Sequence, residues 1–177
     1  MIFFITGESG SGKTTLMKAL AARLVHRGVV AGGFLAPGKW NQGRRSGFDL
    51  LNLLTQEESP LASLIFQGGI QQGPFSFNED TLKRGTQLLL QHADNQSVEI
   101  LFVDEVGPLE LRGGGWAKAL MVLSDSQKPQ VWSVRPGIIQ EVADQWNFNP
   151  AQVFQVAEVN PADIETHIIQ YCPWLNR

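Results

Sequence analysis

Cysteine is almost absent: Cys172 is the one example in 177 residues. It has no partner for an internal disulfide, which excludes a disulfide scaffold and fits a reducing compartment. Histidine is scarce as well. His26, His92 and His167 stand far apart with no paired ligand spacing, so they form no metal motif. A surplus of positive charge is missing, since 14 Lys and Arg against 17 Asp and Glu leave a net charge of −3. That balance argues against nonspecific nucleic-acid binding. No apolar run approaches the ~20 residues of a membrane span. The first apolar run is too short for a secretion signal and lacks a basic leader. What remains is an ordinary globular mixture, 43% hydrophobic and 18% charged, enough for one packed core. The expectation is a single cytoplasmic domain over residues 1–177, with no membrane or nucleic-acid partner.

What is present is concentrated at the start of the chain. Ile2-Phe3-Phe4-Ile5-Thr6 has the composition of a short buried strand, and Gly7-Glu8-Ser9-Gly10-Ser11-Gly12-Lys13-Thr14-Thr15 follows directly. Residues 7–14 match G-x-x-x-x-G-K-[ST] between a strand and an amphipathic helical pattern, the context a phosphate-binding loop requires. The glycines let the backbone turn its N–H groups inward as an anion nest. Lys13 is placed to meet β- and γ-phosphates, and Thr14 to give its hydroxyl to Mg²⁺. The helix N-terminus behind them adds partial positive charge.

Past the loop, Leu16, Ala19, Leu20 and Leu24 recur at helical spacing up to a stop at Arg27-Gly28. Val29 to Leu35 reads as a strand whose Gly32-Gly33 pair marks a bend or a close backbone approach. Residues 36–47 read as a mobile loop, and Phe48 to Leu54 as a strand, giving a long hairpin-like insertion over 29–54. Residues 55–77 hold turn signals and an ambiguous Leu61–Phe66 run. Asn78 then caps a helix with Glu79 and Asp80 in its first turn. Val98 to Val103 is an apolar run suited to a central parallel strand. Strand and helix alternate beyond it: a helix near 116–123, a strand at 131–134, a helix at 138–146, a strand at 153–156 and a last helix from Pro161. The fold class expected is α/β, a mostly parallel sheet with helices on both faces.

The buried strand ends in Asp104-Glu105-Val106-Gly107-Pro108-Leu109-Glu110. A carboxylate at the C-terminal end of a central strand sits where such sheets bind ligands. Asp104 is therefore expected to hold Mg²⁺, and Glu105 to orient and deprotonate a water. Asp104-x-x-Gly107 also matches the switch pattern of GTPases. Asn160-Pro161-Ala162-Asp163 has two readings, a guanine-reading motif without its lysine or a helix cap, and the cap accounts for every residue type in it. Arg44 or Arg45 in the loop, or Arg135 after a strand, can supply a guanidinium to the transferred phosphoryl group. Trp40 beside them is suited to covering a base, meeting a partner or packing. Cys172 is assigned no chemistry, and Gly113-Gly114-Gly115 reads as a flexible turn after Leu111-Arg112, with a lid hinge as the alternative.

Four segments together carry a resemblance: 7–16, Gly33-Phe34, Gly43-Arg44-Arg45-x-Gly47-Phe48, and Val103-Asp104-Glu105-Val106-Gly107-Pro108-Leu109-Glu110. Their order and spacing resemble the small P-loop nucleoside-triphosphatase family of thermophilic and cancer-related NTPases, over much of residues 1–112. The resemblance implies a P-loop α/β fold and slow, Mg²⁺-dependent hydrolysis of several nucleoside triphosphates. By position it implies the loop residues 7–15, Asp104 and Glu105 as the site, with Arg45 aligned to the arginine before Gly-Phe. Ala36-Pro37-Gly38-Lys39-Trp40 departs from the acidic-basic segment usual there, and the C-terminal third matches only loosely. Two other readings stand beside hydrolysis: a nucleotide or small-molecule kinase, and an NTP-operated switch acting on a protein partner.

Overall fold

The computed structural model of the chain describes residues 1–176. Strand β1 (Ile2–Thr6) is buried along its whole length. Phe3 and Ile5 enter one apolar cluster, Ile2 and Phe4 the other, which is why the run is apolar without alternation. Helix α1 (Lys13–His26) follows the phosphate loop, and β2 (Ala31–Leu35) returns to the sheet. At Gly33 the φ is +81°, and an added Cβ would lie 2.0 Å from the Phe102 carbonyl oxygen. The close approach expected of the Gly32-Gly33 pair is thus made by Gly33, where neither the space nor the backbone conformation accepts a side chain.

Two segments whose turn formers favour loop, 36–47 and 55–77, form strands instead. Residues 36–47 hold β3 (Gly38–Asn41) and the first part of β4 (Arg44–Asn52), antiparallel to each other. Gln42 and Gly43 turn between them with φ of 49° and 74°. That geometry suits the right-handed twist of a two-residue hairpin, and explains the Gly in a segment that otherwise reads as loop. Residues 55–77 hold β5 (Glu58–Ser63), β6 (Ile70–Gln72) and β7 (Phe75–Phe77). These strands are short, carry Pro60 and are only partly apolar. Their pairing across a sheet, rather than local propensity, holds them extended.

Helix α2 (Glu79–Asp94) begins at the expected cap, where Asn78 Oδ1 accepts from the Thr81 N–H at 3.0 Å. Beyond it come β8 (Ile100–Val106), the one-turn α3 (Pro108–Leu111), α4 (Ala117–Ser124) and β9 (Gln130–Val134). Then follow α5 (Ile139–Gln145), β10 (Gln152–Gln155) and α6 (Pro161–Tyr171). One sheet results, in the order β10-β1-β9-β8-β2-β4-β5-β7-β6, with β3 on β4. Its core from β10 to β2 is parallel, and an antiparallel wing continues from β4 outward.

Helices α1 and α6 cover one face through Met17, Leu20, Ile164 and Ile168, while α2, α4 and α5 cover the other through Leu82, Leu89, Leu120 and Val142. Glu165, buried on α6, takes Arg23 and Arg27 from α1, and so ties these two helices together by charge. Asn160 Oδ1 accepts from the N–H groups of Ala162 (2.9 Å) and Asp163 (3.1 Å), and Asp163 bonds back to the Asn160 N–H. The Asn-Pro-Ala-Asp segment is therefore a capping box. Among the described residues no helix is long and apolar enough to cross a membrane.

Candidate active site

The phosphate loop leaves β1 at its C-terminal end. The Ser11 N–H donates to the Glu8 carbonyl at 3.1 Å, and the Leu16 N–H to the Gly12 carbonyl at 2.9 Å. Gly12 occupies the N-cap of α1 at φ 101°, a conformation open to glycine, and has no side chain with which to cap. The first N–H groups of α1 are thereby kept for an anion. Lys13 is 7% exposed, and its ammonium donates to the carbonyls of Gly7 (2.7 Å) and Glu8 (3.1 Å). Burial lowers its pKa, against the nearby charges of Glu105 and Asp104, which raise it.

Strands β1, β9 and β8 are neighbours, so the loop and the end of β8 meet at one edge of the sheet. Asp104 is buried there. One carboxyl oxygen accepts from the Ser133 hydroxyl of β9 and the other from the Ala36 N–H at 3.1 Å. Burial pushes its pKa up, while bonds from Ser133, Thr14 and Ala36 pull it down. Thr14 and Asp104 thus bring two hard oxygen donors together under the phosphate loop. That donor set suits Mg²⁺, which takes few protein ligands and completes its shell with phosphate oxygens and water.

Glu105 lines the same cavity with different partners. Its carboxylate accepts from Arg135 Nε at 2.7 Å, and its carbonyl accepts from the Trp116 indole N–H at 3.0 Å. Arg135, reached just after β9, is therefore engaged with Glu105. Among the described residues no acid pairs with Arg45. Its guanidinium lies 4.9 Å from the Trp40 ring centre and 5.1 Å from that of Phe48, with a buried Nε that has no hydrogen-bond partner. Arg44 sits exposed beside the hairpin turn, outside the cavity wall. Trp40, 63% exposed, spends one face on Arg45 rather than packing inside.

A cavity of about 800 Å³ joins these groups. Ser9, Gly10, Gly12, Lys13, Thr14 and Thr15 line one end, with Asp104, Glu105 and Arg135 beside them. Gly7, Glu8 and Ser11 shape the loop without lining the cavity. Sequence reasoning missed three contributors. Ser133 is the polar residue in the otherwise apolar Val131–Val134 run, a signal that was available. Phe75 and its neighbours come from the unassigned 55–77 segment. Glu110 closes the Asp104–Glu110 segment, and nothing local in the sequence signals its burial.

Glu110 is 3% exposed and accepts from the Gly107 N–H at 2.9 Å. Burial raises its pKa from 4.5 to about 8, outweighing the backbone hydrogen bonds that lower it. A carboxyl whose folded pKa is raised contributes its stability fully below the unfolded value and loses it as pH rises through the folded one. Wild-type protein is therefore expected to lose stability between about pH 5 and about pH 8, by on the order of a few kcal/mol at most. Glu110→Gln should show a flatter profile. Urea midpoints at the two ends of that window measure it, and parallel profiles for the two proteins would refute the buried, protonated carboxyl.

Comparison with known proteins bears on family and fold. A family model described as NTPase matches residues 2–169. Nucleoside-triphosphatase THEP1 of Saccharolobus solfataricus is 33% identical over 128 residues, covering 72% of each chain. The protein of the same name from Sulfurisphaera tokodaii is 28% identical over 170 residues, covering 95% of this chain and 92% of its own. Among solved structures, THEP1 from the hyperthermophile Aquifex aeolicus superposes with a TM-score of 0.70 at 21% identity, covering 100% of both chains. A human cancer-related nucleoside triphosphatase does so at 0.71 and 22%, covering 96% of both. These two share the overall fold of this chain. With its loop, its acidic strand end and a family match running from residue 2 to residue 169, the chain belongs to the NTPase family of P-loop nucleoside-triphosphatases.

Proposed function

We propose that the protein hydrolyses nucleoside triphosphates, ATP and GTP among them, to the diphosphate and phosphate in a magnesium-dependent reaction. One observation carries this reading: Lys13, Thr14, Asp104 and Glu105 converge on one end of a single cavity. The loop N–H groups and Lys13 bind the β- and γ-phosphates, and Lys13 exchanges its two carbonyl partners for phosphate oxygens. Thr14 and Asp104 would hold the cation, which when bound would supply charge neutralisation for the phosphates. Glu105 orients a water toward the γ-phosphorus and takes its proton as the bond to the bridging oxygen breaks, and Arg135 holds that carboxylate in one orientation.

Arg45 supplies the guanidinium for the charge that develops on the transferred group, because its Nε is buried without a partner at the cavity wall. Arg45→Ala is expected to lower kcat by about a hundredfold with little change in KM, whereas Arg44→Ala leaves both unchanged. Equal losses in the two variants would remove Arg45 from the reaction. The overall test is release of phosphate from ATP and from GTP, with magnesium and with excess chelator. Nucleotide binding without phosphate release in either case would refute hydrolysis.

A further inference from the structure

The cavity is larger and more apolar than hydrolysis requires. From the phosphate loop it runs past Asp104 and Glu105 to the antiparallel wing, where Phe48, Leu61, Phe75 and Phe77 line it, with Leu109 of α3 and Trp116 before α4 beside them. Phe48, Phe75 and Phe77 are only half-buried. Phe48 and Phe75 meet edge to face at 5.1 Å between ring centres, and both line the cavity. Attack on a phosphoryl group by water needs room for one water molecule, and a pocket of aromatic faces does not help to hold it.

On the proposed reading Lys13, Thr14 and Asp104 bind the γ-phosphate end, and β2 and the wing lie beyond β8 in the sheet. A molecule seated in the lobe would then face the γ-phosphorus past Asp104 and Glu105, with its oxygen on the attacking side.

Charge narrows the class of that molecule. On the wing side the lining carries one basic side chain, Arg45. Lys39, which also projects from β3, is paired with Asp49 at 3.1 Å, and Arg112 is bonded to Gln72 at 2.8 Å. A nucleoside monophosphate brings a dianion that calls for several cations in bidentate reach, and the lobe does not offer them. An uncharged aromatic compound fits it better.

We propose that the wing end of the cavity is a second-substrate subsite for a neutral aryl alcohol, which accepts the γ-phosphoryl group in place of water. The proposal rests on the nucleotide site described above. In the transfer, the alcohol oxygen bonds to the γ-phosphorus and the bond from that phosphorus to the β,γ-bridging oxygen breaks. The nucleoside diphosphate leaves with the electron pair, and the hydroxyl proton passes to the Glu105 carboxylate. Products are a phosphomonoester and the diphosphate.

The test uses the full chain with magnesium and γ-labelled ATP, alone and with millimolar benzyl alcohol or 4-(hydroxymethyl)pyridine. Phosphorus NMR separates free phosphate from ester. The expected result is a probe phosphomonoester whose formation competes with phosphate release. Phe75→Ala is expected to raise the KM for the probe about tenfold while phosphate release without probe is unchanged. Phe75→Leu, a milder change at the same wall, should lie between the two and serves if the alanine variant folds poorly. Phosphate release with no ester from either probe would overturn the subsite and leave hydrolysis standing. Ester formed equally well by wild type and both Phe75 variants would overturn its placement in the wing. Neither ester nor phosphate, with ATP bound, would overturn the hydrolytic reading as well.

Discussion

Glu105→Gln is expected to retain nucleotide affinity and lose about 10³-fold in phosphate release. The carboxylate stands at the mouth of the phosphate site with its side chain about one-third exposed, held by Arg135 at 2.7 Å. Glutamine has nearly the same shape, so the loop, Lys13 and Thr14 are left as they were and binding persists. What glutamine cannot do is accept a proton from the attacking water. The same substitution removes the ion pair with Arg135, and the double variant Glu105→Gln with Arg135→Ala separates the two effects. If Arg135 acts by orienting Glu105, its removal costs nothing further once Glu105 is gone. The measurement is single-turnover phosphate release beside a nucleotide-binding titration. Equal turnover by Glu105→Gln and wild type would take Glu105 out of the reaction.

The other large effect is expected at Lys13. Lys13→Ala removes the one ammonium buried in the loop and leaves the Gly7 and Glu8 carbonyls facing the phosphate without a cation between them. Both binding and turnover should suffer, with kcat/KM for MgATP down by about 10³-fold. Folding should survive, because the lysine bonds only to its own loop and the α1 core is built by Leu16, Met17, Leu20 and Leu24. Circular dichroism and a urea midpoint close to wild type would establish this. Wild-type turnover in a folded Lys13→Ala would show that phosphates bind elsewhere.

The two positions differ in how they could be recognised. Lys13 stands in a motif of contiguous residues whose spacing is set by the geometry of one loop, so it is legible without the rest of the molecule. Glu105 is legible through its neighbour Asp104 and the apolar strand before them. Its pairing with Arg135 is not, because it depends on β8 and β9 lying side by side. Ser133 reaches Asp104 by the same adjacency. The choice among Arg44, Arg45 and Arg135 is likewise a matter of pairing register. Trp40 lies opposite Arg45, and the turn at Gln42-Gly43 sends Arg44 outward.

The wing shows where local reading ends. Residues 36–47 carry turn formers, and 55–77 carry Pro60, Gly68, Gly69, Gly73 and Pro74, so propensity alone favours loop. Hydrogen bonds to partner strands override it, and β4 supplies partners on both edges, to β3 and β5. From sequence alone come the phosphate loop, the acidic strand end, the parallel core and the helix caps, because each depends on interactions within a few residues or on a strand buried on both faces. Only the tertiary structure decides that Arg45 and Arg135 line the cavity while Arg44 does not, which polar groups surround Asp104, and that aromatic side chains of the wing join the phosphate loop in one cavity. Those features join residues from distant strands, and they form only once the sheet has set strand order and register.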